Sequence, residues 1–143
     1  MASDGTLSPI TALHVAVGAV AQPWESLQLY AYAGLEREDP NLFSSAAGVT
    51  GFGNPFVVNT GCEITTGASF TGGANNCAAI NKEIDSWTVG FWQDLYKGSL
   101  GRVKAGVEYE YLLRKSFDTI AGNGGAVSTN DSVVMTSLRY YPF

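Results

Sequence analysis

Charged residues are scarce in this chain, and basic ones are the scarcer kind. They make up 15% of the 143 residues, with 13 Asp and Glu against eight Lys and Arg, for a formal net charge of −5. The basic residues are scattered, so the sequence has no basic stripe to meet phosphates. It also lacks a polybasic motif for a membrane surface. We therefore expect no nucleic-acid partner.

Long apolar runs are missing as well. No segment approaches the roughly 18 uninterrupted apolar residues of a transmembrane helix. The first ten residues, "MASDGTLSPI", have neither the basic region nor the apolar region of a signal peptide. The sequence therefore predicts no helix that spans a membrane and shows no recognisable leader.

Residues that could carry catalysis are few and poorly placed. His14 is the single histidine, with no Ser or Cys partner in view. Glu108 and Glu110 have a spacing that could serve acid–base work, but basic residues interleave with them, which favours a charge ladder. The acidic stretch 36–39 lacks the regular spacing of a calcium loop. We expect no enzyme, no cofactor and no metal site.

The two cysteines, Cys62 and Cys77, lie in one stretch rich in Gly, Thr and Asn. Two Cys without a nearby His are too few for structural zinc. They are either unrelated buried thiols or a local disulfide, and we favour the disulfide. Closing a loop of about 15 residues would contribute about 3 kcal/mol. A disulfide would indicate an oxidising compartment, such as a bacterial periplasm or cell surface.

Glycine and aromatic residues, by contrast, are abundant, with 17 Gly and 12% Phe, Trp and Tyr. This composition suits a β protein with many turns, or a barrel whose outer face meets lipid. Apolar residues recur with a period of two over segments of about ten residues, the length of membrane-spanning strands. The predicted strands lie near 11–21, 26–36, 84–96, 101–115 and 131–142.

The alternation is clearest in "RVKAGVEYEYL". One set of side chains is mainly apolar and is expected to face lipid: Val103, Ala105, Val107 and Tyr109. The other set is charged and is expected to face a polar lumen: Arg102, Lys104, Glu108 and Glu110. A barrel interior packed with small and polar groups gives this pattern.

The connections alternate between short and long along the chain. The long loops are expected at 37–82 and 116–130, and short turns join the other strands. Outer-membrane barrels have short periplasmic turns and longer extracellular loops. Trp24, Tyr96 and Tyr140 fall near the short-turn end, where aromatic side chains form an interfacial belt. The order of connections therefore favours a membrane barrel.

The last strand, "SVVMTSLRYYPF", resembles the C-terminal strand of bacterial outer-membrane β-barrel proteins of porin-like type. Phe143 matches the terminal aromatic residue of that family, and Tyr141 matches the aromatic residue two positions before it. The resemblance implies an assembly signal read by the barrel-insertion machinery. It also implies outer-membrane lipid as a partner.

The outward face of this last strand has two possible assignments. In one, Tyr141 and Phe143 share the lipid face with Met135, although Arg139 and Ser137 would then lie on it too. In the other, the outward residues are Val134, Leu138 and Tyr140, with the alternation broken near Pro142. The sequence leaves both open.

Together these observations predict one all-β domain over 1–143, an antiparallel up-and-down meander that is part of a transmembrane barrel. The expected function is structural or channel-forming, in the bacterial outer membrane. Five strands is an odd number, so the missing strands would come from the same barrel or from other copies of the chain. The alternative is a soluble β-barrel or sandwich that binds a ligand or self-assembles through exposed strand edges.

Overall fold

The computed structural model describes Gly5, residues 7–45 and 48–60, Cys62, and residues 80–142. Seven β-strands occur in these parts of the chain. They are β1 (Ala12–Trp24), β2 (Leu27–Glu38), β3 (Asn41–Ser45), β4 (Gly48–Phe52), β5 (Asn81–Gly98), β6 (Gly101–Ser116) and β7 (Ser128–Tyr141). Over the same residues, no helix has the length and apolar character needed to cross a membrane.

The main sheet has five antiparallel strands in the order β1-β2-β5-β6-β7. The prediction of an all-β, antiparallel protein with five long strands is therefore confirmed. β1 and β7 are the two edges of this sheet, and among the described residues no pairing closes it into a barrel. Gly101 opens β6 with a φ of 110°, a conformation that favours glycine in the short turn after β5.

A short hairpin lies within the segment that we expected to be one long loop. β3 pairs with β4 in antiparallel register, from Asn41 opposite Phe52 to Ser45 opposite Gly48. Both strands have only five residues. Their sequences, "NLFSS" and "GVTGF", are too short and too rich in Ser and Gly for a period of two to stand out.

The chain divides into two compact units. The sheet unit comprises Val15–Leu35, Asp85–Leu112 and Asn130–Phe143, and the loop unit comprises Met1–His14, Glu36–Ile84 and Leu113–Thr129. Among the described residues, the buried large apolar side chains are Phe117 and Val127, both in the loop unit. The large apolar side chains described for the sheet unit therefore form no buried core of their own.

The loop unit is organised around a buried asparagine. Asn59 is 2% exposed, and its side-chain amide donates hydrogen bonds to the carbonyls of Phe117 (3.2 Å) and Gly125 (2.9 Å). Its backbone N–H donates to the carbonyl of Asn123 at 2.7 Å. Phe117 also packs edge-on against Phe52, with ring centroids 5.4 Å apart. These contacts tie the segment around residue 59 to residues 117–125.

Candidate functional site

The two faces of the sheet unit are identified by contacts between neighbouring strands. The Tyr109 hydroxyl lies 3.2 Å from the Ser132 hydroxyl, so even-numbered residues of β7 share a face with odd-numbered residues of β6. The Arg139 guanidinium lies 4.1 Å from the centre of the Trp92 ring, which places odd-numbered residues of β7 on the other side. We call the face with Tyr109 and Ser132 the apolar face, and the face with Trp92 and Arg139 the polar face.

The apolar face carries large side chains that are exposed. Val134 is 66% exposed and Leu138 is 71% exposed, both on β7. The other exposed apolar side chains of this face include Val15, Val17, Leu29, Trp87, Val89, Phe91, Leu95 and Val107. Soluble proteins rarely leave an apolar surface of this extent uncovered.

β7 takes the second of the two assignments left open by the sequence. Val134, Leu138 and Tyr140 lie on the apolar face, whereas Arg139 lies on the polar face against Trp92. Successive side chains of a strand point to opposite faces of the sheet. Because Arg139 is on the polar face, its neighbours Leu138 and Tyr140 are on the apolar face. Tyr141 has the parity of Arg139, at the end of the strand, and Phe143 lies outside the described residues.

On the polar face, an aromatic ring crosses a glycine to reach the next strand but one. Tyr30 of β2 lies over Gly90 of β5, where a Cβ would be 2.5 Å from the ring carbon Cζ. Its hydroxyl donates a 2.7 Å hydrogen bond to the carboxylate of Glu108 on β6. Only a glycine leaves room for this bond, because any side chain at 90 would occupy the position of the ring.

Trp92 repeats the arrangement one strand further along the sheet. Its ring lies over Gly106 of β6, where a Cβ would be 2.7 Å from Cε3, and Arg139 of β7 stacks on it. Tyr32 of β2 covers Gly18 of the edge strand β1 in the same way. On the polar face, strand glycines are therefore covered by aromatic rings from the neighbouring strand, an arrangement that helps to fix strand register in β-sheets.

A charge cluster lies at the short-turn end of the polar face. Arg102 donates two hydrogen bonds to the Asp94 carboxylate, at 2.9 and 2.5 Å, and the Lys104 ammonium lies 3.8 Å from the same group. The Asp94 side chain is 7% exposed and that of Lys104 is 17% exposed. Asp94 and Lys104 are thus more shielded than Val134 and Leu138 on the opposite face.

The predicted lumen residues therefore share the polar face. Arg102 and Lys104 meet at Asp94, Glu108 binds Tyr30, and Glu110 is partly buried two positions further along β6. The sequence reading missed four participants, Tyr30, Trp92, Asp94 and Arg139. The alternation along each strand does place these four residues opposite the mainly apolar positions. Which residues they contact on the neighbouring strands depends on strand register, which the sequence does not give.

The predicted interfacial aromatics lie at strand ends that share one end of the sheet. Trp24 ends β1, Tyr96 is near the end of β5, and Tyr140 is near the end of β7. All three are exposed. The Tyr140 hydroxyl donates a 2.6 Å hydrogen bond to the carbonyl of Leu100 in the short turn. The Tyr140 ring is thus held at the rim, with its polar edge directed to the backbone.

The remaining predicted sites lie elsewhere. Cys62 is described, but Cys77 lies outside the described residues, so their pairing stays a prediction. His14 lies in the loop unit, with its Nδ1 atom 3.7 Å from the Glu36 carboxylate. Over the part of the chain that the structure describes, no group of three His, Cys, Asp or Glu residues is placed to hold a metal ion.

The polar face has an open cavity of about 380 Å³. Its lining includes Tyr30, Trp92, Glu108, Ser137 and Arg139. Comparisons with protein-family models, with curated proteins and with solved structures found no match to this chain.

Proposed function

We propose that this chain forms part of the wall of a bacterial outer-membrane β-barrel, with a structural or channel-forming role. The apolar face of the sheet unit would lie against lipid, and the polar face would line an aqueous lumen. Outer-membrane lipid is then one partner. The strands that complete the barrel would come from the same barrel or from other copies of the chain.

One observation carries this proposal: the sheet unit exposes large apolar side chains on one face and shields Asp94 and Lys104 on the other. Leu138 is 71% exposed, whereas the Asp94 side chain is 7% exposed. In water this arrangement would leave the apolar area unburied, and each Å² of such area costs about 25 cal/mol. In a bilayer the same area needs no protein partner, and a polar interior beside an apolar outer band is typical of membrane barrels.

The order of connections supports an orientation. We place the short turns after β1 and β5 on the periplasmic side, with Tyr140 of the apolar face at the lipid–water boundary, where aromatic rings are stabilised. Trp24 and Tyr96 lie at the same end of the sheet but have the parity of the polar face, so they would line the periplasmic rim of the lumen. The long connections would then be extracellular. In a water-filled lumen, both signs of charge on the polar face would interact with passing solutes, because rings of charged side chains select ions in pores.

The experiment is a comparison of the chain with and without detergent. We expect β-rich aggregates in buffer alone, measured by light scattering, and a defined species in detergent. That species should migrate differently in gels before and after boiling, because a folded membrane barrel resists unfolding by the gel detergent. A compact monomer in buffer without detergent would contradict the proposal.

A second candidate function is favoured by the open edges of the main sheet. β1 and β7 have 13 and 14 residues, and each borders only one strand among those described. A soluble β protein with such edges would self-assemble by pairing strands, or bind a ligand on one face of the sheet. Ordered, detergent-independent oligomers in the same light-scattering experiment would favour this function.

A further inference from the structure

The cavity on the polar face contains two opposite charges, both held by aromatic side chains. Arg139 is stacked on the Trp92 ring at 4.1 Å, and Glu108 accepts the 2.7 Å hydrogen bond from Tyr30. Both side chains line the cavity of about 380 Å³ together with Ser137. Each charge is thus oriented by an aromatic ring, and each ring lies over a glycine of the neighbouring strand.

These two charges form no direct ion pair with each other. No ion pair within 4 Å joins Arg139 to Glu108 in the described part of the chain, and none joins either to another charged group there. Elsewhere on the same face Arg102 and Lys104 do converge on Asp94. The cavity therefore presents a cation and an anion to its contents.

The guanidinium is suited to a carboxylate. A stacked Arg uses its flat face for the ring and keeps its N–H groups along its edge, where they can bind a carboxylate in a fork. Glu108 receives one hydrogen bond from Tyr30, and a carboxylate has several acceptor positions to spare. An ammonium group could therefore bind Glu108 without displacing Tyr30.

We propose that this cavity binds small zwitterionic solutes, with the solute carboxylate on Arg139 and its ammonium on Glu108. The volume falls within the range of about 300–1,000 Å³ that is typical of small-molecule sites. The inference deepens the proposed channel role, on which it rests, by naming the class of solute. A solute that carries only one of the two charges would leave the other charge of the cavity without a partner.

The test follows the fluorescence of Trp92, which lines the cavity. In the full chain in detergent, Trp24→Phe and Trp87→Phe leave one tryptophan, whose emission is followed as glycylglycine is added. Acetate and ethylammonium serve as matched probes, because each carries one of the two charges. We expect saturable binding of glycylglycine, at least about tenfold tighter than that of either single ion, since a hydrogen-bonded charge contributes that much or more.

Two substitutions and one control locate the site. Arg139→Gln and Glu108→Gln should each weaken glycylglycine binding about tenfold or more, and Glu108→Gln keeps an oxygen that accepts from Tyr30. Lys97→Gln removes a cation of β5 that does not line the cavity, and it should leave the affinity unchanged. Circular dichroism of each variant would show that the sheet is retained.

Several results would overturn the assignment. These are no saturable binding of glycylglycine, equal affinity for acetate, or variants that bind as the parent does. Insertion into lipid vesicles is assayed separately on the same chain by its resistance to protease. A chain that inserts but does not bind glycylglycine contradicts the zwitterion site alone. A chain that binds it but does not insert contradicts the barrel wall and leaves the site standing.

Discussion

Tyr30 of β2 donates a 2.7 Å hydrogen bond to Glu108 of β6 although a whole strand, β5, lies between them. The bond is possible because the intervening residue is Gly90, over which the phenol ring lies. Three strands are therefore linked by one side chain. The stability of the polar face should depend on the absence of a side chain at position 90.

Gly90→Val should destabilise the sheet. A Cβ at this position would be 2.5 Å from Cζ of Tyr30, so the ring must move and release Glu108. Such overpacking costs about 1–3 kcal/mol, and we expect a lower midpoint of thermal unfolding by circular dichroism in detergent. The matched control introduces Gly90→Val into a Tyr30→Ala background, in which there is no ring to clash with, and compares it with Tyr30→Ala alone. If Val costs as much with and without the tyrosine, the ring contact is not the cause.

Adjacent residues of β7 should differ in how well they tolerate a charge. Val134 lies on the apolar face, whereas Met135 lines the polar cavity. Arg at the lipid face costs about 2–4 kcal/mol near the bilayer midplane, so Val134→Arg should reduce the folded fraction in lipid vesicles much more than Met135→Arg. Urea titrations of the two variants measure the difference. Equal losses would argue against a lipid-facing side.

Asn59 should be necessary for order in the loop unit. Asn59→Ala removes its hydrogen bonds to the carbonyls of Phe117 and Gly125. The two carbonyls keep the Ser116 and Thr119 hydroxyls as donors, so the expected cost is about 0.5–1.5 kcal/mol for each bond removed. Hydrogen exchange at residues 117–127 should therefore become faster. Asn130→Ala, which removes one exposed 3.3 Å contact to Tyr111, is the control and should leave these rates unchanged.

The cysteine prediction can be checked by thiol titration of the native and the reduced chain. If Cys62 and Cys77 form a disulfide, the native chain has no reactive thiol and the reduced chain has two. The bond should also raise the free energy of unfolding by about 3 kcal/mol, since it closes a loop of about 15 residues. If the unreduced chain shows two reactive thiols when it is unfolded in denaturant, the disulfide is refuted.

The alternation of side chains was enough to predict the five long strands. In β6, an apolar set from Val103 to Tyr109 alternates with a charged set from Arg102 to Glu110 so regularly that the sequence alone assigns the two faces. The hairpin of β3 and β4 was not predicted, because five residues with several Ser and Gly carry little periodicity. β5 and β7 also begin about three residues earlier than expected, at Asn81 and Ser128, where polar residues gave no signal.

The arrangement of the polar face could not be read from the sequence. Its contacts join Tyr30 to Glu108 and Trp92 to Arg139, residues separated by 78 and 47 positions. Each contact requires the register of three strands, and register depends on pairing that a single sequence does not encode locally. The face of β7 was undecided for the same reason. The Tyr109–Ser132 contact and the stacking of Arg139 on Trp92 then distinguished the two assignments.

The most direct test of the lipid-facing wall compares two tryptophans of β5. Trp87 lies on the apolar face, where it is exposed beside Tyr109, and Trp92 lies on the polar face under Arg139. Two variants that each keep one of them, with the other two tryptophans replaced by Phe, are reconstituted in vesicles containing lipids brominated along the acyl chains. Bromine quenches fluorescence at short range, so we predict strong quenching of Trp87 and little quenching of Trp92. Equal quenching of both, or quenching of neither, would contradict the proposal that the apolar face of this sheet meets lipid.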